Sequence, residues 1–187
     1  TRIGVDEHDD YTQLEKFIRL TQQAGCKKFI IHARKAWLKG LSPKENREIP
    51  PLRYEVVYQL KKDYPSLAII LNGGITELEA AKRHLQYVDG VMLGRAAYQQ
   101  PYLLAEVDKL FYHSTLAKPT HKEVVEALWP YLLELAQQGN VKRMTRHMLG
   151  LWHGLPGAKQ LRRSLSENST DALTLLAGWL NNAHHKL

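Results

Sequence analysis

The stretch Leu71-Asn72-Gly73-Gly74-Ile75 ends an apolar, strand-like run with a polar side chain and two glycines. Two comparable ends flank it along the chain, Ile30-Ile31-His32-Ala33-Arg34 before it and Met92-Leu93-Gly94-Arg95-Ala96 after it. Helix-like segments lie between the strand-like runs, and this alternation is typical of a parallel sheet. Since functional groups of such folds project from the carboxyl ends of the strands, we expect these three ends to form one site.

The repeating strand-helix unit predicts half of an eight-stranded (β/α) barrel. Strand patterns cover 28–32, 67–72 and 89–93, and Thr1-Arg2-Ile3-Gly4 is typical of the end of an opening strand. Eight strands close such a barrel and this chain supplies about four, so we expect the C-terminal half of a TIM barrel. The first predicted helix has Asp9 or Thr12 as its cap and ends at Gly25. Its inward side chains are Leu14, Phe17, Ile18 and Thr21. Two more helices are predicted at 52–63 and 77–86.

No strand pattern returns past residues 113–120, so we expect the fold to change class there. We predict a linker at 113–119 and an all-α domain at 120–187, behind an α/β barrel domain at 1–112. Leucine and aromatic spacing in this last part is that of a small helical bundle. Its helices are predicted near 120–138, 140–152, 156–166 and 170–183.

Composition narrows the functional classes. Lys and Arg number 26 against 19 Asp and Glu, a net charge of +7 that favours a polyanionic partner without establishing one. The sequence contains neither a bilayer-length apolar run nor a secretory pattern, so we expect a cytoplasmic protein that does not contact membranes. A single cysteine, Cys26, argues against an internal disulfide and a multi-cysteine zinc site, and we expect it to be packed and inert.

The glycine-containing strand ends predict a phosphate site. Gly73 and Gly74 lack a Cβ, which lets an anion approach the backbone, and Gly94-Arg95 adds a guanidinium that suits phosphate. Thr76 and Glu79 have the spacing of a capping box, which predicts that a helix starts just behind the glycines. A tight turn alone would explain either glycine element, but two on successive strands favour phosphate binding.

His32 ends its strand at the expected mouth of the barrel, where it is either a hydrogen-bonded structural group or a ligand contact. The neighbouring glycine elements favour a ligand contact. The sequence shows no second histidine at metal-ligand spacing and no carboxylate pair beside it, so we predict no metal site.

A long loop, 35–51, follows this strand on the rim where functional loops of barrels lie. Ser42 and Glu45 form a capping-box pattern around Pro43, which predicts one short helical turn. Lys44 and Arg47 then share a face and are candidates for substrate contact. The alternative is a solvated turn in which the two cations pair with neighbouring glutamates.

The strongest charge signal is a basic stretch without any acidic residue, from residue 142 to residue 163. Met144 and Met148 are spaced for a buried helix face, which leaves Arg143 and Arg146 outward. A solvated face is the ordinary interpretation of a charge run, yet such faces normally mix signs. The phosphate backbone of a nucleic acid is therefore the favoured partner of a set that comprises Lys142, Arg143, Arg146, Lys159, Arg162 and Arg163.

Taken together, these motifs closely resemble the tRNA-dihydrouridine synthases of subfamily A. The resemblance covers nearly the whole chain, and the long loop motif is specific to the subfamily. The matching segments are Ile31-His32-Ala33-Arg34-Lys35-Ala36-Trp37-Leu38, Leu41-Ser42-Pro43-Lys44-Glu45-Asn46-Arg47, Asn72-Gly73-Gly74-Ile75, Gly94-Arg95-Ala96-Ala97-Tyr98, His147-Met148-Leu149-Gly150-Leu151, Pro156-Gly157-Ala158-Lys159-Gln160, Arg162-Arg163 and Leu165-Ser166-Glu167-Asn168.

The resemblance implies reduction of a D-loop uridine of tRNA, at position 20 or 20a, to dihydrouridine. FMN would donate the hydride and NADPH would regenerate the reduced flavin. The positions that resemble FMN contacts are His32, Asn72, Gly73, Gly74, Gly94 and Arg95. The positions that resemble tRNA contacts are Lys44, Arg47, Gln160 and Arg163.

The family's catalytic cysteine, which protonates the uracil ring, belongs to the first half of its barrel, and Cys26 does not match that position. The family's flavin-contacting glutamine and lysine would likewise precede Thr1. We therefore expect a fragment that is inactive alone, from an enzyme that is monomeric at full length. Two alternatives stay open: a flavin-dependent barrel oxidoreductase for a small molecule, such as a dihydroorotate dehydrogenase, and a non-catalytic RNA-binding module.

Overall fold

The computed structural model describes residues 1–8, 10–167 and 172–182. The chain forms two compact units, Thr1–Gly94 and Arg95–Leu187. The predicted linker at 113–119 lies inside the second unit by this division, and its role as a linker stays a prediction. Within the described residues, no helix is both long enough and apolar enough to cross a membrane.

The first unit is an α/β layer built on a parallel sheet, as the alternation of the sequence predicts. Its strands β1 (Lys28–His32), β2 (Ala68–Asn72) and β3 (Gly90–Met92) lie in that order in the sheet, and the pairings between them are parallel. The strands are shorter than predicted by two residues at most. The elements are α1 (Tyr11–Gln23), β1 (Lys28–His32), α2 (Tyr54–Asp63), β2 (Ala68–Asn72), α3 (Leu78–His84) and β3 (Gly90–Met92).

The predicted opening strand lies along the free edge of β1 as an extended segment with isolated bridges. Arg2 bridges His32 and Val5 bridges Ala36, both in parallel. The His32 amide donates to the Thr1 carbonyl at 2.8 Å. Four parallel segments are therefore adjacent in the first unit, which is consistent with part of a barrel; the assignment as the C-terminal half stays a prediction.

The two faces of the sheet differ in exposure. Phe29 and Ile31 alternate with Ile30 along β1 and are buried, whereas Ile30 is 43% exposed. Side chains of a strand point alternately to opposite faces, so His32 lies on the same face as Ile30. This open face therefore carries the polar strand ends that the sequence singles out.

Helix α1 begins at Tyr11, one residue before Thr12, which is the predicted cap that the structure describes. Asp10 is the N-cap, and its carboxylate accepts a hydrogen bond from the Gln13 amide at 2.8 Å. Thr12 lies inside the helix, and Asp9 lies outside the described residues. Leu14 and Ile18 are buried as predicted, but Phe17 is exposed because the inward face is narrower than the apolar pattern suggests.

Two further predictions in the first unit are wrong. Helix α3 starts after Glu77, which is extended and makes no side-chain cap, so Thr76 and Glu79 do not form the predicted capping box. The helix starts one residue too late for Thr76 to occupy the cap position. Cys26 is exposed rather than packed, because it precedes β1 and lies outside the buried layer.

The second unit is helical in its described part. Its helices from residue 121 onward pack on a shared core that includes Leu132, Trp152, Leu165 and Leu176. Assignment of residues 120–187 to a separate bundle domain stays a prediction. The helices are α4 (Arg95–Gln99), α5 (Val107–Tyr112), α6 (His121–Gln137), α7 (Val141–Met148), α8 (Ala158–Glu167) and α9 (Ala172–Asn182), with a 3-10 turn at Pro101–Glu106 and another at Leu149–Trp152.

The predicted linker is held at its C-terminal end by residues of the same unit. Lys118 forms an ion pair with Glu106 at 2.6 Å, and its ammonium lies 4.5 Å from the ring centroid of Tyr102. The Tyr102 hydroxyl donates to the Pro119 carbonyl at 2.8 Å. These contacts direct the chain into α6, whose capping box joins Thr120 and Glu123.

Candidate functional site

The polar ends of the strands form one row across the sheet. In the register, His32 pairs with Asn72, and Asn72 pairs with Met92. In-register neighbours of a parallel sheet lie about 4.8 Å apart and point to the same face. The structure thus brings His32 and Asn72 together at the edge where Gly73 and Gly74 follow.

Gly73 and Gly74 form a turn that only glycine fits without strain. Both have positive φ, +118° and +68°. A Cβ at Gly73 would stand 3.2 Å from Cε1 of His32, and one at Gly74 would stand 2.5 Å from Cδ1 of Leu52. The His32 ring and the Leu52 side chain therefore pack against a backbone turn that has no side chain of its own, and they fill the space that a Cβ would take.

Tyr54 anchors this glycine turn from the start of α2. Its hydroxyl donates a 2.8 Å hydrogen bond to the Gly73 carbonyl. Burial raises the pKa of Tyr54, with the nearby Arg34 acting in the opposite direction. The phenol is therefore a stable donor at neutral pH, and the turn is held in place by α2.

A small aromatic cluster supports Tyr54. The Tyr54 and His84 rings lie 4.4 Å apart between centroids, and the Tyr58 hydroxyl lies 2.6 Å from Nδ1 of His84. Tyr58 also stacks on Tyr87 at 4.5 Å. Burial, and then the charge of Arg83, lower the pKa of His84, so its imidazole is favoured in the neutral form.

Sequence reasoning missed both Leu52 and Tyr54. They follow Pro50-Pro51 at the end of the long loop, where the pattern predicts only the start of a helix. Their role depends on contact with a turn about 20 residues later, and no local motif encodes that contact. The one available signal is the glycine pair, because adjacent glycines indicate that some side chain packs closely there.

Asn46 organises the long rim loop. Its side-chain oxygen accepts from the Trp37 amide at 2.8 Å, and its side-chain nitrogen donates to the Trp37 carbonyl at 2.7 Å. Arg2 adds two further hydrogen bonds, since its Nη1 donates to the carbonyls of Lys35 and Asn46, both at 2.8 Å. The loop is therefore tied to the strand edge at two points.

The predicted capping box of the rim loop is confirmed. The Ser42 amide donates to the Glu45 carboxylate at 2.8 Å, and the Glu45 amide donates to the Ser42 hydroxyl at 3.3 Å. Hydrogen bonds from Ser42 lower the pKa of Glu45. A 3-10 turn at Glu45–Arg47 follows, and both Lys44 and Arg47 are exposed on it.

Positive charges are close to one another at this rim. The pKa of Arg2 is lowered by burial first and then by the charges of Arg47 and Arg34. Mutual repulsion of this kind is relieved when an anion binds. The charges of Arg34 and Arg47 therefore act on Arg2 at the rim of the first unit.

The last strand end is divided between the two units. Gly94 is the final residue of the first unit, and Arg95 opens the second as the first residue of α4. A Cβ at Gly94 would meet nothing within 4 Å, so local crowding does not require a glycine there. Gly94 and Arg95 therefore belong to different units, and contact of both residues with one phosphate stays a prediction.

The basic stretch of the second unit is exposed on α7 and α8. Arg143, Arg146, Lys159 and Gln160 are exposed. Nε of Arg146 donates to Nε2 of His147 at 3.1 Å, and Nδ1 of the same ring contacts the Tyr98 hydroxyl at 2.8 Å. An arginine whose Nε is held in this way keeps its terminal nitrogens for another acceptor.

Arg163 has an acidic neighbour just beyond the predicted basic stretch. Its Nε lies 2.9 Å from the Glu167 carboxylate, and the side chains are 77% and 58% exposed. Ion pairs this exposed contribute at most about 1 kcal/mol. A phosphate can therefore replace the carboxylate at small cost.

Within the described residues, no cluster of three or more His, Cys, Asp or Glu side chains is arranged to hold a metal ion.

A family model described as Dihydrouridine synthase (Dus) matches residues 1–184. The chain belongs to the dihydrouridine synthase family. The resemblance given by its motifs is thereby confirmed.

Relatives within the Dus family are similar over most of this chain. The tRNA-dihydrouridine(20/20a) synthase of Shewanella oneidensis is 59% identical over 170 residues, which are 90% of this chain and 51% of the relative. That of Synechocystis sp. is 53% identical, with 90% and 51% covered. That of Escherichia coli strain K12 is 56% identical, with 92% and 50% covered. The chain thus spans about half the length of these Dus relatives.

Proposed function

We propose that this chain forms part of a tRNA-dihydrouridine synthase, which reduces uridine 20 or 20a of the tRNA D-loop with FMN and NADPH. Family membership and the names of the relatives support the reaction class. The observation that carries the proposal is the row of His32 and Asn72 beside the Gly73-Gly74 turn. We place this enzyme in the cytoplasm, with its substrate.

The glycine turn is proposed to hold the flavin phosphate. The backbone amides of Gly73, Gly74 and Gly94 are proposed to face the phosphate, and Arg95 is proposed to supply a charge-assisted hydrogen bond to it. His32 and Asn72 contribute polar atoms on the open face of the sheet. The reduced flavin, when bound, supplies the hydride; the residues of this chain bind and orient it.

The proton that the uracil ring needs does not come from Cys26. This cysteine, the only one in the chain, precedes β1, whereas His32 ends that strand. Six residues of extended chain span roughly 20 Å. Its thiol is exposed, with a weak contact of 3.4 Å to the Lys28 carbonyl. Cys26→Ser is therefore expected to leave FMN and tRNA binding unchanged.

Recognition of tRNA is proposed to use both the rim loop and α8. Lys44 and Arg47 are exposed on the loop, and Gln160 and Arg163 are exposed on α8. Contacts to phosphates release condensed counterions, which gives affinity with little sequence dependence. These residues therefore position the RNA rather than select the uridine.

Flavin titration tests the cofactor proposal. We expect Arg95→Ala to lose about 1.5 to 3 kcal/mol of FMN binding free energy, the usual contribution of a charged hydrogen bond. His32→Ala is expected to bind less FMN as well, whereas the charge-matched control Arg83→Ala, exposed on α3, is expected to bind normally. The same titrations belong in a protein of the relatives' full length, where binding is expected to be tighter.

Titration with tRNA on the same proteins separates the alternatives. FMN binding without tRNA binding would favour an oxidoreductase for a small molecule. Binding of tRNA with no FMN affinity at either length would favour an RNA-binding module. Unchanged FMN affinity in both Arg95→Ala and His32→Ala would overturn the proposed flavin site.

A further inference from the structure

Arg2 adds a guanidinium to the row of polar strand ends in the first unit. Its backbone bridges His32 in parallel, and His32 pairs with Asn72 in the sheet. In-register neighbours of a parallel sheet lie about 4.8 Å apart and point to the same face. The next residue, Ile3, is buried, as the alternation along an extended segment requires. The Arg2 side chain therefore starts from the open face of the sheet, beside His32.

One nitrogen of this guanidinium holds the rim loop. Nη1 of Arg2 donates to the carbonyls of Lys35 and Asn46, both at 2.8 Å. Each terminal nitrogen of an arginine carries two hydrogens, so these bonds use the whole donor capacity of Nη1. Because the two acceptors belong to separate parts of the loop, they fix the plane of the guanidinium as well as its position.

The Nε–Nη2 edge of the same guanidinium is open. In residues 1–8, 10–167 and 172–182, Nε and Nη2 of Arg2 have no hydrogen-bond or ion-pair partner. Neither nitrogen is among the buried polar atoms of these ranges that lack a partner, so both reach solvent. This edge of an arginine donates two parallel hydrogen bonds, which match two oxygens of a phosphate or a carboxylate. A fork that the protein already holds in place loses little conformational entropy when it binds such a group.

The charges that act on this fork are positive. After burial, the charges of Arg47 and Arg34 are what lower the pKa of Arg2. Arg2 forms no ion pair with a carboxylate in the part of the chain that the structure describes. An occupant with negative charge would reduce the repulsion among these guanidinium groups, whereas a neutral carbonyl group would not. Between the two kinds of acceptor, the surroundings of the fork therefore favour a phosphate.

We propose that Arg2 contacts the RNA substrate itself, with its Nε–Nη2 edge on the phosphate of the nucleotide whose base enters the site beside His32. A base that leaves its stack rotates about the backbone, so its phosphate stays outside while the base enters. Arg2 joins these two places, because its backbone pairs with His32 and its Nη1 holds the rim loop. The inference rests on the proposed function and adds a contact at the target nucleotide to those of Lys44 and Arg47.

A thermodynamic cycle tests the contact directly. Fluorescence anisotropy would compare two tRNAs, one unmodified and one with a neutral methylphosphonate in place of the phosphate of the target uridine. The wild-type protein, as this chain and at the relatives' full length, is expected to bind the neutralised RNA roughly 10-fold to 100-fold more weakly, as a charged hydrogen bond is lost. Arg2→Gln is expected to bind both RNAs with equal affinity, because each change removes the same contact.

Two further variants separate this contact from the role of Arg2 in the rim loop. Asn46→Ala removes the side chain that holds the Trp37 backbone and leaves the Arg2 fork intact. It is expected to bind both RNAs more weakly, with the wild-type ratio between them. Arg2→Lys keeps a charge and a donor for the loop but has no fork, and its ratio is expected to fall below the wild-type value. A wild-type ratio in Arg2→Lys and Arg2→Gln would overturn the contact.

Flavin binding distinguishes the second possible source of a phosphate. Titration of Arg2→Gln with FMN and with riboflavin, which lacks the phosphate, is expected to give the wild-type preference for FMN. A preference lost in Arg2→Gln, with an unchanged ratio between the two RNAs, would assign the fork to the flavin phosphate and overturn the RNA contact. Binding of tRNA that still depends on Lys44 and Arg163 would leave the proposed function in place in either case. No tRNA binding by the wild-type protein at either length would overturn both.

Discussion

Tyr54 holds the carbonyl oxygen of Gly73 through a 2.8 Å hydrogen bond from its hydroxyl. This contact joins the end of the rim loop to the glycine turn at the end of β2. A loop proposed to meet tRNA and a turn proposed to meet FMN are thus connected through one side chain. The position of the turn consequently depends on how the rim loop enters α2.

Removal of the Tyr54 hydroxyl tests this connection. We expect Tyr54→Phe to lower the free energy of unfolding by about 1 kcal/mol, the net value of one hydrogen bond, and to weaken FMN binding because the turn is no longer fixed. Urea unfolding and flavin titration measure the two effects. Tyr58→Phe deletes a hydroxyl from the same helix without contact to the glycines, and its FMN affinity is expected to be normal. Equal affinities in the two variants would contradict a role for Tyr54 in the site.

A pair of alanine substitutions separates backbone strain from packing in the glycine turn. Gly74 and Gly40 both have positive φ, +68° and +83°. Alanine costs about 1 to 2 kcal/mol in such a conformation. At Gly74 its Cβ would also meet Leu52 at 2.5 Å, whereas at Gly40 it would meet nothing within 4 Å. We therefore expect Gly74→Ala to be the more destabilising in urea unfolding, and the only one to weaken FMN binding.

The sequence was sufficient to predict those parts of the first unit that local chemistry determines. The alternation of Phe29 and Ile31 with exposed neighbours locates β1, and the Ser42 and Glu45 pattern locates the turn that carries Lys44. Thr76 and Glu79 show the limit of such patterns, because the spacing is present but α3 starts one residue too late to use it. Contacts between distant segments, such as Leu52 with Gly74, have no local signal.

In the helical unit, too, helical spacing predicts which side chains are exposed, but it does not predict which residues they contact. Helical spacing correctly buries Met148 and leaves Arg143 and Arg146 exposed on the neighbouring α7, and Arg163 is exposed on α8. It does not show that Glu167 pairs with Arg163, since that residue lies just past the basic stretch. Nor does it show that Gly150 packs against the Gln99 carbonyl, because the two residues lie on different segments.

Salt dependence tests whether the rim loop and α8 meet the same RNA. Arg163→Ala and Lys44→Ala are each expected to weaken tRNA binding and to make the slope of log K against log salt shallower by about 0.7 to 0.9, as one phosphate contact is lost. FMN affinity is expected to be unchanged in both. Lys62→Ala, exposed at the end of α2, is the charge-matched control. Wild-type slopes in both variants would leave these cations as solvated surface and favour a small-molecule substrate.

His84 is expected to make the stability of the first unit depend on pH. Its pKa is lowered, by burial first and then by Arg83, so on acidification the unfolded chain takes up this proton before the folded protein does. Its contribution to stability is therefore complete above the unfolded value of about 6.5 and is lost as the pH falls through the lower folded value. The pKa of His121 is also lowered, chiefly by burial, and that residue acts in the same direction in the second unit.

Comparison with His84→Gln isolates the share of His84: we expect the wild type to lose more unfolding free energy than the variant between pH 7.5 and pH 5.5. A proton NMR titration of the His84 ring that gave a pKa above 6.5 would contradict the sign, and with it the packing of a neutral imidazole against Tyr54.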